Sequence, residues 1–462
     1  MTQLLPTPAP LDDLRAACTG AVLGPDEPGL AEAARAWNVR HTHRPAVVVR
    51  AETPDDVVAA VRHARRHDME VAVQTTGHGF ARATEGGLLL DLSTLVGVTV
   101  DAEARSARVL GGTTWEPVLA AASEVGLAPL LGSTPHVGAV GYTMGGGMGW
   151  LARHHGLAID HVRSFELVTP AGEVQVASAD SDPELFWALL GGGAGGLGVV
   201  TAMTIDLVPV STVYAGNLLY PAAMAAEVVA RYAEWIETVP EELTTSVVLM
   251  NFPPFPDVPE PLRGQSFVIV RGCWSGPVEE GEQWLRPWRE WAEPAIDMFG
   301  PMPFSAAATI SNDPVDPLPA ALSTEWLTDL GPDVAGRLVD AAFAADGPPL
   351  LLFAEVRHAG GAVARGTAGA FGGREGELLL CLVAATPTDE AAAASEAHIR
   401  ALRHGLADHT LGRAYLSFCD GEERRARTAE GFAPDDLTRL QQVKARVDGD
   451  EVLGCGLDLT TG

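Results

Sequence analysis

Apolar positions along this chain recur first with a helical period and then in short saturated runs. In TPDDVVAAVRHARRH, Thr53 to His67, the residues Val57, Val61 and Ala64 share one face, Thr53 stands where a cap is needed and Pro54 fits the first turn, so the stretch predicts a helix. MEVAVQ, Met69 to Gln74, predicts a short buried strand that runs into a glycine turn. GGLLLDLS and SARVLGG, the latter Ser106 to Gly112, predict further strands. TTWEPVLAAASEVG predicts a helix closed by Gly126 as its C′ glycine. DPELFWALL, Asp182 to Leu190, predicts a helix with Pro183 at its start, and LGVVTAMTIDLV, Leu197 to Val208, a β-branched strand stopped by Pro209.

After about residue 210 the glycine runs give way to proline-rich connectors such as FPPFPDVPEPL, Phe252 to Leu262. QSFVIVRGCWSG, Gln265 to Gly276, alternates as a sheet strand does, and this middle region reads as a separate α+β domain. Toward the C-terminus RAYLSF predicts a compact strand and DDLTRLQQVKARV a charged helix. Alternation along RAYLSF sets Tyr415, Ser417 and Cys419 on one face and turns Leu416 and Phe418 into the core. Glu355 and Arg357 fall on one face of a middle-domain strand and His358 on the other, so the three do not all reach one site.

Composition narrows the function. With 462 residues, 47% hydrophobic and 20% charged, the chain suits a globular protein of two or more domains. A formal charge of −29 argues against nucleic acid or an anionic membrane as partner. MTQLLPTPAPLDDL has no basic region ahead of an apolar core, and no apolar stretch is long enough for a bilayer, so a cytoplasmic protein is expected. Five scattered cysteines make neither a disulfide framework nor a zinc site, no metal is expected, and Cys455 reads as buried rather than reactive. Lys444 is the only lysine. A Walker loop and a Schiff-base enzyme each need a lysine that this helix position does not offer.

The candidate chemistry lies in three glycine-rich loops. They are QTTGHG, Gln74 to Gly79, with His78; GSTPHVGAVGYTMGGGMGW, Gly132 to Trp150; and GGGAGGLGVVT, Gly191 to Thr201. Glycine has no Cβ, so backbone N–H groups approach a ligand closely, and three such loops point to a large phosphate-containing cofactor. A histidine in the first loop points to covalent attachment. Gly193, Gly195 and Gly198 also spell GxGxxG, but a helix precedes them and a strand follows, the reverse of a Rossmann turn, which excludes a nicotinamide dinucleotide domain.

These segments resemble the FAD-linked oxidoreductases of the p-cresol methylhydroxylase and vanillyl-alcohol oxidase superfamily, in particular the berberine-bridge-enzyme-like branch. The resemblance runs from about residue 37 to 210 and from 413 to 458. It rests on WNVRHTHRPAVVVRAETPDDVVAAVRHAR, the TGHG turn, GSTPHVGAVGYTMGGGMGWLARHHGLAID, DPELFWALLGGGAGGLGVVT, and YLSF followed by RLQQVKARVD. It implies an α+β fold: a PCMH-type FAD-binding domain of two α+β subdomains, with an inserted α+β substrate domain on an antiparallel sheet. The cofactor domain would span 1–210 and 405–462, the substrate domain 211–404, with FAD between them.

Carried over position by position, the resemblance implies that His78 bonds the flavin 8α-methyl carbon. Gly77 and Gly79 would shape the pyrophosphate turn, with Thr75 and Thr76 standing where glycines are common. Threonine is costly there if the turn needs φ > 0. Gly138, Gly141, Gly145, Gly146 and Gly147 would pack against the cofactor, and Gly195, Gly196, Gly198 and Val199 would line its adenine side. Thr134 replaces a cysteine that gives many relatives a second covalent bond, so one link is expected. His136 lies beside the flavin loop, and Val137, ahead of Gly138, would gate oxygen. Tyr415 would accept the substrate proton, and Ser417 replaces an asparagine usual in that motif.

The function so implied is oxidation of a small-molecule C–H bond with hydride transfer to flavin and O2 as acceptor, a tailoring step in bacterial natural-product synthesis. Two alternatives stand beside it: a dehydrogenase with a non-oxygen acceptor, and a flavin-fold protein that binds a small molecule without turnover, which the changes at Thr75, Thr76 and Ser417 would suit.

Overall fold

The computed structural model describes residues 11–256, 258–343, 347–367 and 369–460. The start of the N-terminal segment, residues 1–10, on which the leader-free reading partly rests, lies outside the described residues.

The first sheet is built from β1 (Val22–Leu23), β2 (Val47–Arg50), β3 (Val71–Gln74) and β4 (Leu88–Asp91) in the order β1-β2-β4-β3, with β2, β4 and β3 parallel. Parallel strands need a crossover, and the helix Pro54–Arg66 supplies it between β2 and β3. That helix forms as predicted: Thr53 accepts from the N–H of Asp56 at its start, and Val57, Val61 and Ala64 are buried against Val47, Val49, Leu88 and Leu90. The opposite sheet face buries Val48, Ala72 and Leu89, so these strands are apolar throughout rather than alternating.

A second sheet, entirely antiparallel, holds β5 (Val98–Asp101), β6 (Ser106–Leu110), β7 (Val162–Val168), β8 (Val174–Ser178) and β9 (Val199–Asp206) in the order β5-β6-β9-β7-β8. Helices Trp115–Ser123 and Pro183–Gly192 cover it with Trp115, Leu185 and Leu189.

The third sheet has eight antiparallel strands: β10 (Thr212–Pro221), β11 (Leu243–Asn251), β12 (Ser266–Trp274), β13 (Ile296–Asp297), β14 (Gly300–Pro303), β15 (Ala320–Leu327), β16 (Phe353–His358) and β17 (Leu378–Ala385). One face is apolar and packs Leu218, Val247, Val268, Val356 and Leu380 under long helices such as Ala225–Ile236 and Asp389–Gly405. The other carries Ser246, Arg271, Glu355 and Arg357, brought side by side by the registers Ser246↔Arg271 and Ser246↔Arg357. The α+β architecture with an inserted antiparallel sheet is therefore as expected.

One expected element does not form. RAYLSF is no strand: Leu416–Phe418 is a single 3-10 turn, and Tyr415, Leu416 and Cys419 are all buried instead of alternating. The reason is local. The hydroxyl of Thr324, on edge strand β15, accepts from Tyr415 N (2.9 Å) and donates to Tyr415 O (3.2 Å). One side chain thus satisfies the backbone groups that a neighbouring strand would have taken. Lys444, in its charged helical context, is not at the surface. It is buried on the helix Pro434–Val447, with Nζ 2.6 Å from Asp448 Oδ2 and 3.0 Å from Gly196 O. No helix among the described residues is long and apolar enough to cross a membrane.

Candidate functional site

The end of β3 delivers the first glycine turn into a cleft. Trp37 N donates to Thr76 O (3.1 Å), which brings residues 36–37 hard against the turn. A Cβ on Gly77 would stand 2.4 Å from Ala36 Cα, and Gly77 has φ +76°, so this position requires glycine. Thr75 and Thr76 are not among the residues with positive φ, so the strain expected of threonine does not arise. Both have polar work instead. Thr75 Oγ1 donates to Gly111 O (3.2 Å), and Thr76 Oγ1 lies 2.8 Å from His78 Nδ1.

The His78 ring stacks on Trp37, with centroids 4.4 Å apart and planes at 20°. Burial, with a smaller contribution from His136, depresses its pKa to about 3. The imidazole is therefore neutral at physiological pH, and Nε2 makes no hydrogen bond among the described residues. His136 lies 5.4 Å away, its Nδ1 2.5 Å from Thr134 Oγ1, and burial lowers its pKa too.

A cleft of about 1170 Å3, open to solvent, runs from this turn between the first two sheets. Of the predicted residues, Thr75, Thr76, Gly77, His78, Gly79, Val137, Gly138, Gly141, Gly196, Gly198 and Val199 line it. A Cβ added to Gly141 would meet nothing within 4 Å, because that face of the helix Ala139–Met144 looks onto open space. Thr134 and His136 sit beside it as a hydrogen-bonded pair. Gly195 is turned away, since a Cβ there would lie 2.1 Å from Leu459 Cδ1.

Gly145, Gly146 and Gly147 also lie outside this lining. They face the C-terminal turn: Ser417 Oγ donates to Gly145 O (2.8 Å), a Cβ on Gly146 would strike the Phe371 ring, and the N–H groups of Gly147 (3.1 Å) and Met148 (3.2 Å) donate to the Tyr415 hydroxyl. Ser417 so makes a backbone contact of its own in place of the expected asparagine. Burial raises the Tyr415 pKa, and the Met148 and Gly147 N–H groups and Arg357 only partly offset it. Tyr415 is a neutral phenol at neutral pH.

Beyond Tyr415 lies the polar face of the third sheet. Glu355 accepts from Ser246 Oγ (2.7 Å) and Arg357 Nε (2.8 Å), with Arg271 at 3.7 Å. Burial raises the Glu355 pKa, but Arg357 and Arg271 outweigh it and hold the carboxylate ionised. Arg357 also lies over the Phe418 ring at 5.0 Å. His358 takes a different partner, accepting from Arg153 Nη1 at 2.7 Å, and burial followed by Arg153 lowers its pKa to about 3. A narrow recess lined by Ser133, Met148, Trp150, Ser246, Arg357 and His358 lies between the second glycine loop and this face.

Sequence reasoning missed several cleft residues. Gln74 presents a buried Oε1 without a hydrogen-bond partner, and Phe80, Arg82, Tyr142, Met144 and Arg424 also line the space. Gln74 stood at the head of the first motif and was legible; Arg424 lies within a charged run, GEERRAR, that gives no sign of facing inward. Cys455 lines the cleft as well, and burial lifts its thiol to about 12, which keeps it unreactive.

Comparison with known proteins is consistent with this geometry. A family model described as an FAD binding domain matches residues 45–178. The (R)-6-hydroxynicotine oxidase of Paenarthrobacter nicotinovorans is 37% identical over 191 residues, 41% of each chain. The chain spans about half the length of the sequence relatives it matches. Among solved structures, 6-hydroxy-D-nicotine oxidase from Arthrobacter nicotinovorans superposes with a TM-score of 0.82 at 22% identity, over 99% of both chains. BBE-like 1 of Physcomitrella patens gives 0.85 at 18% identity, over 98% of this chain and 100% of that one. At such identities the structural likeness speaks for the fold.

Proposed function

We propose, for a chain that belongs to the superfamily built on a PCMH-type FAD-binding domain, an FAD-dependent oxidase that removes hydride from a C–H bond of a small molecule, with O2 as the final acceptor. The cofactor unit is taken as residues 1–210 with 405–462, and the substrate unit as 211–404.

The observation that carries this reading is the cleft itself, bordered by all three glycine loops and holding a neutral histidine. The residues suit FAD. Gly141 leaves open the volume a Cβ would fill, and the turn at Gly77 and Gly79 has the positive φ values of a backbone that suits an anion. FAD, when bound, supplies the two-electron acceptor that no amino-acid side chain provides.

The chain's own residues bind, orient and handle the proton. His78 would hold the flavin covalently through its unprotonated imidazole, and Thr76 and Trp37 fix the ring that would do so. Thr134 has no sulfur, so His78 is the single covalent link. Tyr415 is our proton acceptor for the substrate. Two backbone N–H groups are aimed at its oxygen and would favour the anionic form it must adopt. The polar sheet face with Arg357 and Ser246 closes the substrate side, and Val137 leaves a compact side chain where oxygen approaches. The reaction is proposed as a tailoring oxidation in bacterial natural-product synthesis.

Oxygen use is tested without knowing the substrate. Protein reduced photochemically and mixed with air-saturated buffer reoxidises quickly and releases hydrogen peroxide. Reoxidation over many minutes beside a fast reaction with a quinone makes the protein a dehydrogenase instead.

A further inference from the structure

We propose that Arg424 is the cation that receives the phosphate group of the cofactor, an inference that rests on reading the cleft as an FAD site. Arg424 lies on the short helix Gly421–Ala426 and is only 7% exposed. Its basic neighbours are all engaged: Arg425 faces Asp458 at 3.6 Å, and Arg427 pairs with Glu325 (2.8 Å) and Glu423 (3.0 Å). The Arg424 guanidinium makes no ion pair and no hydrogen bond among the described residues, and its Nε is fully buried without an acceptor. The acid one turn back, Asp420, is committed elsewhere: it accepts from Asn38 Nδ2 (2.6 Å) and Gly421 N (2.8 Å) and lies 3.9 Å from His41.

The unpaired guanidinium points into the cleft. It lines the space, and Nη1 stands 3.1 Å from the place a Cβ would occupy on Gly79. Arg82, the other arginine of the lining, is neutralised by Glu70. A buried cation without a directly bonded acid is costly: burial pulls the Arg424 pKa below its ordinary value, and the nearby Asp420 carboxylate offsets this only in part. An anion in the cleft removes that cost. The chemistry selects a phosphate oxyanion: the planar fork of arginine bonds two of its oxygens at once, and the Gly77–Gly79 turn offers N–H groups beside it. The isoalloxazine ring of oxidised flavin carries no full negative charge, so it does not meet the same need.

The test compares FAD with riboflavin, which has the ring and no phosphate. It uses the full chain carrying His78→Ala, so that binding is reversible and measured by flavin fluorescence. Arg424→Gln weakens FAD binding by at least about thirtyfold, the lower end for stripping one partner from a buried charged hydrogen bond, and leaves riboflavin affinity within about threefold. Arg424→Lys, which keeps the charge and loses the fork, falls between the two for FAD and also spares riboflavin. It decides the matter should the glutamine variant fail to fold. Equal losses for both flavins, or no loss for FAD, overturn the assignment. A parent protein that binds neither flavin refutes the FAD reading itself, which is a different result.

Discussion

Replacing Tyr415 with phenylalanine removes one oxygen from a junction that the structure makes both mechanical and chemical. That oxygen accepts the N–H groups of Gly147 and Met148 at 3.1 and 3.2 Å, both residues are buried, and neither N–H has another partner among the described residues. Stranding a buried donor costs about 1–3 kcal/mol, so two set an upper bound near 6 kcal/mol. The ring remains against Phe371, which avoids a cavity, and loop relaxation recovers part of the loss. We expect Tyr415→Phe to lose about 2 kcal/mol or more in urea unfolding, with the slope unchanged. Stability within about 0.5 kcal/mol of the parent, the range of a plain surface substitution, refutes the claim that this hydroxyl holds the loop. Chemistry is read separately, by anaerobic flavin reduction at a temperature where both proteins are folded. A general base contributes about 10² to 10⁴ in rate, so a loss of at least tenfold is expected. Because burial raises the Tyr415 pKa above 10, the anionic fraction at neutral pH is small, and the parent's reduction rate should climb about tenfold per pH unit between roughly pH 7 and 9. A plateau inside that window, or an unchanged rate in the variant, assigns the proton to another group, with neutral His136 the next to test.

Acid precipitation should leave the pellet yellow, with the flavin mass on a peptide containing His78, and His78→Ala should release all its flavin while still binding it reversibly. Gly141→Leu directs a side chain into open cleft space, so FAD content should fall at least tenfold while the apoprotein's unfolding is unchanged; normal flavin content would remove Gly141 from the site. Lys444→Met leaves Asp448 buried with two backbone N–H partners and no cation, and should cost about 3–5 kcal/mol in urea unfolding. Lys444, the only lysine, should resist amine acylation until the protein unfolds, and peptide mapping that finds Lys444 itself readily acylated in the native protein would contradict its burial. Burial holds His43 and His155 at a pKa of about 4 and His358 at about 3, below the unfolded value near 6.5. The unfolded chain then binds more protons in that interval, so stability is fully present above about pH 6.5 and falls as pH drops toward 4. Urea midpoints that do not decline from pH 7 to 4.5 would contradict neutral burial of these rings.

Helices and strands with a strong period were legible because burial and period agree. Thr53, Pro54 and the Val57, Val61, Ala64 face predicted a capped helix, and the same residues cap and bury it. The order helix, glycine loop, strand around Gly193 ruled out a Rossmann turn, and the helix Pro183–Gly192 followed by β9 has that order. RAYLSF failed because six apolar and polar residues in alternation carry no information about the partner. The segment runs beside edge strand β15, yet its backbone is held by the Thr324 hydroxyl, a residue 91 positions away that no local pattern can signal.

The same limit separates the two sides of the candidate site. Glycines marked the cofactor side, because a sequence exposes directly where Cβ atoms are missing. What the sequence does not expose is which glycines face a ligand and which face the protein's own chain. Gly141 and Gly145 lie four residues apart in one motif, yet a Cβ on the first meets nothing within 4 Å and a Cβ on the second would stand 1.9 Å from Ser417 Oγ. The second group of glycines therefore accommodates the C-terminal turn, and through Tyr415 and Ser417 that turn fixes the loop bordering the substrate face. Arg424 was hidden for a related reason: in GEERRAR every basic residue has the same local appearance, and only the folded chain shows that Arg425 and Arg427 find carboxylates while Arg424 is left facing the cleft. A charge that the fold buries and does not pair is information about a ligand, and it becomes available only once the partners of all the other charges are known.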